Sequence, residues 1–195
     1  MILNPLDYKI ADLNKIEPEK GRLLIAEPFM ADSYFKRSVV LLAAYSDNDV
    51  VGFILNKPLQ TTLDKILPSE INNDKFSVYL GGPVETSSLH FIHTLGTTLE
   101  ESKHISGNLF WGGIFEQLKK MININEVAPT EIMFFTGYSG WSKEQLTNEI
   151  NEDYWLISNI NTKIFNKKNL WKEVLKKKGG KHAMFTQFPE NPSLN

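Results

Sequence analysis

Apolar residues in this chain come in short runs, each broken by Gly, Pro or a polar cluster. Short uninterrupted apolar runs between turn residues predict strands buried on both faces. On that basis residues 22–26 form a strand stopped by Pro28, and 38–45 form a second. Ser46-Asp47-Asn48-Asp49 is a tight turn by composition, and 50–56 returns, so 38–56 reads as a β-hairpin. Further strands are expected at 76–80, 89–95, 109–111, 132–135 and 154–158, with 137–141 a glycine-containing loop after the fourth of these. Helical spacing appears at Leu63, Ile66 and Leu67, begun by Thr61-Thr62 and ended by Pro68. It recurs at Ile114, Phe115, Leu118, Met121 and Ile122. Ser142 and Gln145 form a capping box ahead of Leu146 and Ile150. Leu170, Trp171, Val174 and Leu175 mark a last helix, ended by Gly179-Gly180. The mixture lacks a steady strand–helix alternation, which favours an α+β fold with a largely antiparallel sheet.

A chain of 195 residues with 42% hydrophobic and 23% charged residues is long enough for one sizeable core. One domain over 1–195 is expected, with 1–20 as an N-terminal extension and 163–195 as a basic C-terminal helix and tail. Formal net charge is −2, which gives no overall attraction to nucleic acid or anionic lipid. Residues 163–181 depart from that balance, with eight Lys against one Glu. Such a run binds a phosphate polymer or forms the solvated face of an amphipathic helix. There is no Cys, which excludes disulfides and thiolate chemistry. The N-terminus lacks a basic stretch followed by an apolar one, and no apolar run approaches the roughly 20 residues that span a bilayer. A cytoplasmic protein without membrane contact is expected.

Chemistry-bearing residues are sparse. Gly137 and Ser139 resemble part of a nucleophile elbow, but Trp141 stands where the closing glycine belongs, so the elbow is rejected. A glycine loop entering a helix N-terminus offers free N–H groups, which makes Tyr138, Ser139 and Gly140 candidates for a polar-ligand cradle. The plainer alternative is a sharp turn with Tyr138 and Trp141 filling the core. Gly81-Gly82-Pro83-Val84 lets backbone approach a ligand at Gly82 but lacks the Lys-Ser/Thr of a phosphate loop. Asn56-Lys57-Pro58 reads first as a strand exit and second as a polar site. Arg37, at the mouth of a buried strand, pairs with a carboxylate such as Glu27 or Asp32 or clamps an anion in bidentate fashion. His90 and His93 fall on opposite faces of a strand, which argues against a shared metal ion, and His104 and His182 have no clustered partner. Phe91, Phe110, Trp111, Phe134, Phe135 and Trp155 read as core. The candidate ligand-binding residues are therefore Arg37, Asn56, Gly82, Tyr138, Ser139 and Gly140, with no catalytic residue, metal or cofactor assigned.

In order and spacing, several motifs together resemble the AlgH/YqgE family of bacterial proteins. They are Gly21-Arg22-Leu23-Leu24-Ile25-Ala26, Arg37-Ser38-Val39-Val40-Leu41-Leu42, Gly52-Phe53-Ile54-Leu55-Asn56-Lys57-Pro58, Gly81-Gly82-Pro83-Val84, Gly137-Tyr138-Ser139-Gly140-Trp141, Gln145-Leu146 and Trp155. The likeness runs from about residue 21 to about 171, and the ending Pro189-Glu190-Asn191-Pro192-Ser193-Leu194-Asn195 is similar to tails in the family. The resemblance implies a bent sheet folded toward a pseudo-barrel with packed helices, in a cytoplasmic bacterial protein. It implies no established reaction and brings no agreed catalytic residues. Family members are sometimes labelled transcriptional regulators, but no helix-turn-helix pattern is visible here. At position 139 the family often has Ala. The leading expectation is a non-enzymatic regulatory or binding protein for a small polar ligand or a protein partner. The second is a nucleic-acid-associated transcriptional regulator using the Lys-rich segment, and the third an enzyme of unknown type.

Overall fold

Strands that are apolar on both sides need cover on both sides, and the fold supplies it. The computed structural model describes residues 10–160, 165 and 169–187. Their strands are β1 (Arg22–Ala26), β2 (Val39–Tyr45), β3 (Val50–Ile54), β4 (Pro58–Thr62), β5 (Ser77–Leu80), β6 (Val84–His93), β7 (Lys103–Ser106), β8 (Leu109–Trp111), β9 (Ile132–Trp141) and β10 (Trp155–Asn159). The helices are α1 (Leu63–Ile66), α2 (Phe115–Asn123), α3 (Lys143–Asn151), α4 (Leu170–Lys178) and α5 (Gly180–Met184). The sheet runs β10-β1-β2-β3-β9-β6-β8-β7, with β5 also on β9 and β4 on β5. Every pairing is antiparallel except β5 with β9. The expected α+β class with a mostly antiparallel, bent sheet is what the chain forms.

The sheet curls into a half-barrel. A Cβ at Gly21, just before β1, would lie 2.5 Å from Ser106 on β7, so one rim of the sheet approaches the other. Lys20 Nζ donates to the carbonyl of His104 across the same gap, at 3.0 Å. Leu23, Leu41, Phe53 and Phe135 fill the concave side together with Trp171 and Leu175 of α4. Alternate residues of the same strands, among them Leu24, Val40 and Ile54, pack outward against Leu146 and Ile150 of α3. On the other half of the convex side, Val78, Phe91 and Phe134 pack against Leu63 of α1 and Leu118 of α2. Period-2 alternation thus sorts each strand between two cores, which is why the runs read as continuously apolar.

Four expectations need correction. Residues 137–141 are not a loop: they complete β9, whose Ser139 and Gly140 pair with Gly52 and Val51 of β3. The strand expected at 89–95 begins earlier, at Val84. The capping box is half made. Ser142 Oγ accepts from Gln145 N at 3.0 Å, but the Gln145 side chain reaches forward to Glu149 instead of back. Phe110 and Trp111 are half-buried, unlike the buried Phe91, Phe134, Phe135 and Trp155. Three of the eight lysines in 163–181, Lys163, Lys167 and Lys168, lie outside the described residues, as does the 188–195 tail.

The glycines of this region serve a crossing. Residues 134–136 of β9 pair with β5 on one edge and with β6 on the other. Residues 81–83 must therefore pass from one edge of β9 to the other, directly over its backbone. A Cβ at Gly81 would sit 2.2 Å from the carbonyl oxygen of Gly137, and one at Gly82 would sit 2.4 Å from that of Tyr138. Gly137, at φ +66°, would place its own Cβ 2.8 Å from the Gly82 carbonyl. The crossing is fastened by Gly81 N to Thr136 O at 2.9 Å, Ile54 N to Gly81 O at 2.9 Å and Ser139 Oγ to Gly81 O at 3.0 Å. At the sheet's outer edge, Asn14 Oδ1 accepts from Ile157 N and Asn14 Nδ2 donates to Trp155 O, at 2.7 and 3.0 Å. Lys178 Nζ donates to the carbonyl of Ile157.

Gly81→Ala is expected to destabilise the protein by roughly 3 kcal/mol or more, because rigid backbone lies on the contacting side. Urea unfolding of the variant against the parent measures it.

Candidate functional site

Four cationic side chains meet where β2 begins, β3 ends and α4 starts. Lys36, Arg37, Lys57 and Lys172 line a cleft of about 450 Å³ with Ser33 and Asn56, and none of its described lining residues is a carboxylate. Arg37 holds φ +52°, an uncommon conformation for a side-chain-bearing residue. Asn56 fixes it: Oδ1 accepts from Val39 N and Nδ2 donates to Arg37 O, both at 2.8 Å. One amide thus brackets the entry to β2 as a neighbouring strand would. The Arg37 guanidinium then lies over Trp171, 5.0 Å from the ring centroid, a cation–π contact. Trp171 is itself fixed by Nε1 donating to Ala26 O at 2.8 Å. Lys57 Nζ donates to Ser33 O at 2.9 Å. Burial pulls the Lys57 ammonium below its ordinary pKa, Asp32 pushes it back up, and Lys36 adds to the lowering. The carboxylates suggested as Arg37 partners cap local turns, Glu27 accepting from Phe29 N and Asp32 from Tyr34 N.

The six sequence candidates do not share one pocket. Arg37 and Asn56 line the basic cleft. Gly140 lines a second cleft of about 400 Å³ on the other side of the 30–37 segment. Gly82 and Ser139 sit in the strand crossing, where Ser139 is fully buried. Tyr138 packs toward the concave core, its ring 5.7 Å from that of His90. Lys36, Lys57 and Lys172 were not among the candidates. Lys57 was signalled by Asn56-Lys57-Pro58 and Lys172 only as part of the lysine-rich 163–181 run, while Lys36 had no signal.

Histidine chemistry is structural in its geometry. His93, fully buried, has Nε2 2.9 Å from Gly112 O, while Nδ1 accepts from Leu95 N at 3.2 Å. This requires the neutral ring protonated at Nε2. Ser102 Oγ lies 3.2 Å from that nitrogen but donates to Leu99 O at 2.6 Å. Ser88 Oγ lies 2.8 Å from His90 Nε2 and donates to Glu85 O at 2.7 Å. His93 Nε2 already carries its proton and so cannot take one from Ser102, while the Ser88 hydroxyl is shared between His90 Nε2 and Glu85 O. His90 faces Phe53 and Trp111 while His93 stacks on Phe110, the opposite-face arrangement expected. Among the described residues no group of three His, Asp or Glu could hold a metal ion, and no helix is long and apolar enough to cross a membrane.

Asn56→Ala removes both halves of the bracket and is expected to cost roughly 2–4 kcal/mol in urea unfolding. Burial lowers the pKa of His93, and of His90 and His182, in the folded protein. The unfolded chain then binds more protons below its His pKa of about 6.5. Stability should be full above that pH and fall as pH drops through it, by up to about 1.4 kcal/mol per pH unit per ring. His93→Gln, which keeps a donor for Gly112, should flatten that slope in unfolding measured from pH 7.5 to 5.

Comparison with known proteins agrees with the topology. A sequence model described as AlgH-like matches residues 23–183. A UPF0301 protein of Cytophaga hutchinsonii is 38% identical over 180 residues, covering 90% of this chain and 98% of its own. Another, from Bacteroides fragilis, is 39% identical with both chains fully covered. Among solved structures, protein DIP2367 of Corynebacterium diphtheriae superposes with a TM-score of 0.75 at 18% identity, covering 96% of this chain and all of that one. The AlgH protein of Pseudomonas aeruginosa gives 0.69 at 22% identity, with 90% and 98% covered. With the half-barrel, the glycine crossing and this agreement in hand, the chain belongs to the AlgH-like family of uncharacterised bacterial proteins.

Proposed function

We propose that the protein is a non-enzymatic binding protein that takes a small anionic ligand in the Arg37–Lys57 cleft. The observation that carries this reading is a 450 Å³ cleft on which Lys36, Arg37, Lys57 and Lys172 converge, with no carboxylate among its described lining residues. Like charges held together repel, and burial opposes the Lys57 charge further. An anion offsets both effects, and phosphate or carboxylate oxygens suit the donors of Lys and Arg. The volume lies within the range of small-molecule sites, about 300–1,000 Å³. Arg37 and Asn56 keep their place as ligand-site candidates in this reading.

The cleft also suits a regulatory role. Its walls come from 33–37, from 56–57 and from 169–172 at the start of α4. An anion bridging them would tighten the seating of α4 on the concave core. The nucleic-acid alternative draws less support. Lys172 faces the cleft and Lys178 is turned inward onto Ile157 O, which breaks up the basic face of α4.

Thermal unfolding with millimolar pyrophosphate or citrate should raise the midpoint, since a ligand at 100 times its Kd adds about 2.7 kcal/mol. Lys57→Gln should abolish the rise while leaving the ligand-free midpoint near its parent value. A chloride control at matched ionic strength should do nothing. If neither anion moves the midpoint, the reading fails.

A further inference from the structure

The cleft on the far side of the 30–37 segment has the opposite character. It measures about 400 Å³, and its described lining includes Glu149 and Asp32 but no Lys, Arg or His. Glu149 reaches it from α3 and is held by three N–H groups. Oε2 accepts from Trp141 Nε1 at 3.0 Å and from Trp155 Nε1 at 2.8 Å, and Oε1 accepts from Gln145 Nε2 at 2.9 Å. A carboxylate has about four acceptor positions. Both on Oε2 are filled, so the remaining one is on Oε1. All three donors are neutral, so they orient the carboxylate without cancelling its charge. Asp32 adds a second carboxylate, with Oδ1 accepting from Tyr34 N and Phe35 N. Its charge also acts on Lys57 in the neighbouring cleft.

The remaining walls are aromatic and apolar. The Trp141 and Trp155 rings meet edge to face at 6.1 Å, and Phe35 packs on them at 5.7 and 5.4 Å. That packing locks the two indoles, and with them Glu149. Tyr154, also in the lining, is 43% exposed. Such walls accept an aliphatic stem and a cation near an aromatic face, while the carboxylates reject an anion.

We propose that this second cleft binds an alkylammonium group, with Glu149 Oε1 accepting from the ammonium and Phe35 and Tyr154 contacting its stem. The group comes on a free amine or on a protein lysine. This site is separate from the anion cleft and does not depend on it.

The two indole N–H groups bonded to Glu149 report on the site directly. The test follows the indole signals of the ¹⁵N-labelled full chain by NMR during titration with n-butylammonium. Saturable shifts of the Trp141 and Trp155 signals, with those of Trp111 and Trp171 little changed, are the expected result. Butanol and butyrate, which share the stem, should not produce them. Glu149→Gln retains an acceptor oxygen and should weaken butylammonium binding roughly tenfold or more, the scale of a lost charge-assisted hydrogen bond. Tyr154→Ala, at an exposed position, should weaken it severalfold and serves where Glu149→Gln alters the fold. A capped lysine peptide binding more tightly than butylammonium supports the site with a protein side chain as source, and weaker binding supports it with a free amine. The proposal is overturned if the two signals do not move, if butanol moves them equally, or if neither variant changes the affinity.

Discussion

Backbone-to-backbone contact where residues 81–83 cross β9 is the constraint on which the remaining architecture hangs. A strand with partners on both edges usually receives them from distant parts of the chain. Here β5 and β6, consecutive in sequence, flank β9 on opposite sides. Three residues suffice for the passage because no side chain separates the crossing backbones at Gly81 and Gly137. The carbonyl of Gly81 then receives Ile54 N, and Leu80 N donates to Lys57 O. The end of β3 is thereby fixed, and Asn56 and Lys57 follow within three residues. Through Asn56 the same anchor sets Arg37, and through Arg37 the contact with Trp171. The basic cleft is thus positioned by a steric condition some way along the chain from its charged groups.

The parts of the fold legible in sequence were those that local patterning controls. Apolar runs located β1, β2, β3, β5 and β10, and the spacing of Leu118, Ile122, Leu146 and Ile150 located α2 and α3. Glycine misled at 137–141. A Gly-x-Ser-Gly sequence reads as a loop because glycine is usually present for its dihedral freedom. Here Gly137 uses that freedom, at φ +66°, inside a strand, and it also leaves room where another backbone passes, a use that strands make of glycine. Polar strands were missed for the opposite reason: β4 is largely exposed and β7 is short, so neither has an apolar run to betray it. The basic cleft was only half visible. Arg37 and Asn56 stood out locally, but Lys172 belonged to a lysine-rich run, and nothing in the chain order placed Trp171 under Arg37. Glu149 gave no signal at all, since its two indole partners lie on opposite sides of it in sequence, eight positions before and six after.

The two clefts share one short wall. Lys36 and Arg37 face the cationic side, while Asp32 and Phe35 face the acidic, aromatic side. Charges of opposite sign are thus separated within a few residues, and the backbone between them is held by the N–H groups of Tyr34 and Phe35 donating to Asp32 and by the Asn56 bracket. In water such a separation would be screened. Against half-buried walls it persists as a fixed local field, which Asp32 exerts on Lys57. α4 completes the picture by serving two purposes at once, since Trp171 and Leu175 belong to the concave core while Lys172 lines the cleft.

A sheet that curls without closing still has a last strand, and in this protein it is β10. A strand edge with free N–H and C=O groups is a template for a second chain, which is how folded proteins begin to form fibres. Asn14 and Lys178 occupy that template at Trp155 and Ile157. Both come from segments that flank the sheet rather than from the sheet itself, one before its first strand and one after its last. The polar groups that shield the protein from its own kind are therefore carried near the two ends of the described chain. Replacing Asn14 and Lys178 with residues that cannot bond the edge would leave the core whole and turn a shielded edge into an adhesive one.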